Sequence, residues 1–205
     1  MCRLLSLLLV IPTVLGACAW AADDGDTVAT ALAFCRDADA LSPDDKDGQR
    51  LLLESGIAVA EEAVAAHPDD PKAQLALSCI LGKQLAVSGV SWRVLQRVNR
   101  VKGVIDTALR LAPDDPDVLV AKGELLHQLP CMLGGDLHEA EQLLRLALAK
   151  NPDHLRARLY LAHLLAERHD VAARREAEVA FSLAQRSGTP RELADARSLY
   201  GNGAR

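Results

Sequence analysis

Three short junctions of the same make punctuate this chain: Ala66-His67-Pro68-Asp69-Asp70-Pro71, Leu111-Ala112-Pro113-Asp114-Asp115-Pro116 and Lys150-Asn151-Pro152-Asp153-His154. Each closes one Ala- and Leu-rich stretch and opens another. The first Pro of each junction cannot continue the helix before it. Asp70 and Asp115 are placed to cap the helix after it. Pro71 and Pro116 then fall at its first position, where a missing N–H costs nothing. A chain punctuated in this way is restricted to an array of helices.

The stretches between junctions carry helical period. Val101, Ile105, Ala108 and Leu109 share one face, as do Leu137, Ala140, Leu144, Ala147 and Leu148. Asp136 with Glu139, and Thr189 with Glu192, have the spacing of reciprocal N-caps. Alternating Val/Ile/Thr runs bounded by turn dipeptides, the mark of strands, are almost absent. The pattern predicts helices over 26–41, 46–66, 71–87, 91–111, 116–129, 136–150, 154–168, 171–186 and 190–200. Half the residues are apolar, which excludes a wholly disordered chain. The expected class is all-α: antiparallel helix pairs that cannot bury their faces alone and so stack into a solenoid with a continuous core.

In this the chain resembles the tetratricopeptide repeat (TPR) family, whose unit is a 34-residue helix–turn–helix. The match is fullest in the unit from Pro116, through Gly123 and, beyond an insertion, Ala140, Leu144, Ala147 and the closing Pro152. Ala108 and Pro113 match in the preceding unit, and Ala63 and Pro68 in the first. Leu161, Ala162, Ala177, Phe181 and Ala184 match in the last. The period is not strict: Pro68 to Pro113 is 45 residues and Pro113 to Pro152 is 39. Leu fills most aromatic positions of the motif. The extra residues are expected as longer helices around Ser88-Gly89 and as a loop at Leu129 to Gly135. The resemblance covers 46–186 and implies about four units of irregular length. A leader, lengthened repeats and the Leu133-Gly134-Gly135-Asp136 turn are also similar to exported bacterial envelope TPR proteins. In outline they resemble the helical component of TRAP-type uptake systems.

The N-terminus reads as an address. Arg3 is followed by an apolar run and then by small residues through Ala22, the grammar of a secretory signal peptide ending at residue 21. The same residues fit two other readings. Leu15-Gly16-Ala17-Cys18 resembles a lipobox, with a leader ending at 17 and a lipidated Cys18. The uncharged run 4–22 is also just long enough for an uncleaved anchor. The domain order expected is this leader, an acidic N-terminal helix or linker over 22–45, the repeat domain over 46–186, and a capping helix with tail over 187–205. Beyond the leader remain Cys35, Cys79 and Cys131. An odd, sparse set is not a disulfide framework. One pair could form in an oxidising space, but small buried apolar residues in helices is the favoured reading.

Charge is polarised. Residues 22–70 carry 13 acids and 3 bases, while 71–205 carry 15 acids and 19 bases; the whole chain is −5. This mild acidity and the scarcity of rings argue against nucleic acid as a partner. The polarity could steer a partner or favour head-to-tail self-association. Arg93, Arg97 and Arg100 form a basic helical stripe, read as a solvated or paired face rather than a lipid-binding one. No G-x-S-x-G elbow or phosphate loop occurs. His127, Cys131 and His138 bracket the Gly-Gly turn without matching a zinc pattern. No enzyme, metal or cofactor is expected.

The resemblance implies a groove lined by the first helix of each pair. Its candidate contacts are Lys72 and Cys79, then Glu124 and His127, then Arg156 and His163. Lys122 is followed four residues on by Leu126, not Arg, so the family's carboxylate clamp is not supported. The expected function is a non-enzymatic protein-interaction scaffold in the bacterial envelope, periplasmic or lipid-anchored. The alternative is an accessory binding component of a solute uptake system.

Overall fold

A computed structural model describes residues 24–41, 45–87 and 93–202. The leader, Cys18 and Ser88-Gly89 lie outside these residues. Among the described residues there are nine α-helices and no strand: α1 (Asp24–Ala40), α2 (Lys46–Ala66), α3 (Pro71–Val87), α4 (Arg93–Leu111), α5 (Pro116–Gln128), α6 (Leu137–Lys150), α7 (Leu155–Glu167), α8 (Ala172–Ser187) and α9 (Pro190–Asn202). The expected helices all stand, with ends within about two residues of their expected places. A 3-10 turn, Cys131–Leu133, fills the expected insertion between α5 and α6.

Consecutive helices pair as α1/α2, α3/α4, α5/α6 and α7/α8, and α9 closes the end. Each odd-numbered helix also packs on the next odd-numbered one. The even-numbered helices meet the next pair chiefly through its first helix. The odd helices therefore lie on the inside of the curve. The array begins with α1, inside the segment expected as an N-terminal helix or linker: Ala31, Cys35 and Ala38 share a core with Leu53 and Ala60 of α2 and Ile80 of α3.

The small residues of the repeat pattern explain the close packing. Gly123, Ala140, Leu144 and Ala147 are all buried. A Cβ on Gly123 would lie 3.1 Å from Leu144 Cγ and 3.3 Å from the Ala140 carbonyl oxygen. Leu137, expected on this buried face, is 39% exposed. It is the first residue of α6.

The junctions work as the sequence implies. Asp70 Oδ1 accepts from Lys72 N at 2.8 Å. Asp115 accepts from Asp117 N and Val118 N. Thr189 and Glu192 form a complete reciprocal cap. Asp136 does not. Its carboxylate caps His138 N and Glu139 N, but its own N–H donates to Leu126 O at 3.1 Å rather than to Glu139. The tight Gly134-Gly135 turn folds that N–H back onto α5. Gly134 has φ +88°, and a Cβ on Gly135 would overlap the Leu129 carbonyl oxygen. Here two glycines are required for different reasons: one by a left-handed backbone, the other by contact between chain segments.

The cysteines overturn the expectation of unpaired buried residues. Cys35 and Cys79 form a disulfide between α1 and α3, with Cα atoms 6.3 Å apart, inside the usual span for a bridge. Cys131 is free and exposed, not buried. The physical reason is register: adjacent inner helices bring the two sulfurs face to face.

Candidate functional site

The candidate site is the inner face built by α1, α3, α5, α7 and α9. Four of the six expected groove residues pair across neighbouring inner helices, and a fifth is bridged. Glu124 of α5 accepts from Arg156 Nη2 of α7 at 2.7 Å. One turn along α7, Tyr160 engages both. Burial and then the Glu124 carboxylate push the Tyr160 phenol far up, against the pull of Arg156, so it remains neutral. Burial works against the charge on Arg156, but the Glu124 carboxylate beside it carries its pKa above the usual guanidinium range. The cluster is thus a fixed ion pair with a neutral phenol beside it.

Two histidines face two carboxylates further along. His127 Nε2 meets Glu167 Oε1 at 3.1 Å. Its Nδ1 is buried without a hydrogen-bond partner among the described residues. His163 Nε2 meets both oxygens of Asp195 on α9, at 2.9 and 3.0 Å. That contact raises the His163 pKa above its ordinary 6.5, aided by the charge of Asp195 and Glu167 and opposed by burial.

Lys72 stands exposed in the first turn of α3, where its charge reaches Asp117. Asp117 is held below its ordinary pKa, first by its hydrogen bond to His154, against desolvation, and then by nearby positive charge including Arg156 and Lys72. Sequence reasoning missed the role of His154. It caps α7 by accepting Ala157 N at Nδ1, and meets Asp117 Oδ1 at 3.0 Å through Nε2. The cap makes Nδ1 the acceptor, so Nε2 carries the proton toward Asp117. The Asn151-Pro152-Asp153-His154 junction held the signal, a polar residue one place before the helix.

Cys79, expected as a groove contact, is not one. Its sulfur is committed to Cys35 and is not a free groove side chain. His127, Cys131 and His138 are not assembled either: His138 Nε2 meets Gln142 Nε2, and among the described residues no three His, Cys, Asp or Glu side chains are grouped to hold a metal. Of the basic stripe, Arg100 is ion-paired with Glu61 of α2; the Arg93 side chain lies outside the described ones. No helix among the described residues is long and apolar enough to cross a membrane. Met132, in the middle of the 3-10 turn, is 91% exposed.

The His163–Asp195 pair yields a pH prediction. A histidine with a raised folded pKa adds stability that is full below its unfolded value and is lost as pH rises through the folded one. His163→Gln should therefore cost more at about pH 5.5 than at about pH 8.5. Both side chains are over a third exposed, so solvent screening keeps the difference small. Paired urea titrations of wild type and variant check it. An equal loss at both pH values would contradict it.

The fold matches that of a solved helical array. The chain is similar to a thermophilic TPR protein of Thermus thermophilus, at 20% identity and TM-score 0.61, covering 88% of this chain and 91% of that one. A de novo designed helical repeat protein aligns at 18% identity and TM-score 0.37, covering 89% and 95%. No protein-family model matches the chain, and no curated protein matches it. The fold is an all-α, TPR-like solenoid.

Proposed function

We propose that the chain is a non-enzymatic repeat scaffold, exported to the bacterial envelope, that holds a protein or peptide partner on its inner face. The observation that carries this reading is the inner face itself. Its helices are tied side by side by cross-helix pairs, so a polar surface of mixed charge is ordered before any partner arrives. Binding to such a surface loses little further freedom. TPR-like arrays commonly serve this role. The Cys35–Cys79 bridge supports export, because disulfides persist in oxidising compartments. Periplasmic release and lipid anchoring through Cys18 are two forms of the same reading.

The test is crosslinking of the tagged full-length protein in its native cells, followed by mass spectrometry. One dominant envelope partner is expected. The double variant Glu124→Lys, His127→Ala should reduce its capture about tenfold or more with helicity unchanged, since it inverts one inner-face charge and removes another polar group. Equal capture by the variant would move the contact off this face. A solute receptor as the captured partner would favour the uptake-system alternative.

A further inference from the structure

Two rungs join α1 to α3. The first is the Cys35–Cys79 disulfide. The second lies one helical turn on, where Asp39 Oδ1 accepts from Lys83 Nζ at 2.5 Å. Both rungs span 44 residues of sequence. They therefore link the same pair of faces in the same register, at positions i and i+4 of each helix.

Asp39 makes a second contact. Its Oδ1 also accepts from Arg191 Nη1 of α9 at 2.9 Å, across 152 residues. Here the last inner helix meets the first, and the curve of the array closes on itself. The Arg191 side chain is 69% exposed, and an exposed ion pair alone holds little. What keeps the Asp39 carboxylate between Lys83 and Arg191 is the position of α1. The covalent rung fixes that position about 6 Å away along the helix axis.

We propose that the Cys35–Cys79 disulfide is a redox clasp: oxidised, it holds α1 where Asp39 can tie α9 to α3, and reduced, it lets the first and last inner helices part. The reductant is a dithiol. Cys35 is buried while Cys79 is only partly buried, so the reductant's thiolate attacks the Cys79 sulfur and Cys35 leaves as the thiolate. The reductant's second thiol then displaces Cys79 from the mixed disulfide. Two electrons and two protons pass to the bridge, leaving two cysteine thiols in the protein and a disulfide in the reductant. The clasp needs no partner, so it is tested on the purified chain alone.

The experiment is hydrogen exchange by mass spectrometry on the full chain, oxidised and then reduced with dithiothreitol. Reduction should speed exchange about tenfold in peptides from the C-terminal half of α1 and from α9, with α5 and α6 little changed. Arg191→Ala, with the bridge intact, should speed exchange in α9 alone and by less than reduction does, since the exposed pair is only part of the contact between α1 and α9. The double variant Cys35→Ser, Cys79→Ser should match the reduced protein; if it does not fold, the reduced wild type carries the test. Unchanged exchange in α9 on reduction overturns the clasp. So does a rise spread evenly over all helices, which would make the bridge a general staple.

Discussion

Replacing Gly135 by Ala should destabilise the protein by about 3 kcal/mol, because the added methyl collides with main chain rather than with a side chain that can move. The Cβ would overlap the Leu129 carbonyl oxygen and crowd Leu126 O. Relief requires the turn to open. Opening it breaks the hydrogen bonds from Gly135 N to Pro130 O and from Asp136 N to Leu126 O, at 3.0 and 3.1 Å. Each is worth about 1 kcal/mol, and the rest comes from the displaced start of α6. Guanidinium unfolding would measure the loss. A cost below about 1 kcal/mol would mean that the turn relaxes freely. Gly134→Asn should cost less, since Asn tolerates positive φ and the nearest neighbour is the flexible end of Lys102.

Leu144→Ala should cost about 3–4 kcal/mol through the cavity it leaves. Leu144 is fully buried among Leu119, Val120, Ala147, Ala157 and Leu161, in the joint between α5, α6 and α7. Its neighbour supplies a sharper test. A methyl on Gly123 would press on Leu144 Cγ at 3.1 Å, so Gly123→Ala alone should destabilise. In the Leu144→Ala background the same methyl occupies part of the vacated space. The double variant should thus be more stable than the sum of the single losses implies, a coupling on the order of 1 kcal/mol. Strict additivity would show that the two residues do not share this space.

The repeat punctuation was legible because its physics is local. Pro68, Pro113 and Pro152 end helices by sterics, and Asp115 caps by reaching two or three residues along its own chain. The small residues Gly123, Ala140 and Ala147 were legible because close helix packing selects size. The inner-face pairs were not. Glu124 finds Arg156 across 32 residues, and Asp39 finds Arg191 across 152. Such contacts depend on how helices align after stacking, which no local pattern encodes. The disulfide lay between these cases. The 44 residues from Cys35 to Cys79 nearly equal the 45 from Pro68 to Pro113. Equivalent places on successive first helices must lie side by side in a stack, so that spacing was a usable signal. Asp136 shows the opposite limit: its spacing to Glu139 fitted a reciprocal cap, but a tighter turn took its N–H first.

The bridge also changes the covalent connectivity of the chain. Residues 35 to 79 form a closed loop that contains all of α2 and the exposed Pro68-Asp69 turn. A protease that nicked this turn would leave α1 and α2 attached to the rest of the molecule through sulfur. The same nick at the like-built Pro113-Asp114 turn would divide the chain into two pieces held by noncovalent contacts alone. Two turns of nearly identical sequence thus differ in what a single cut can release, and the difference is set by a bond that neither turn contains.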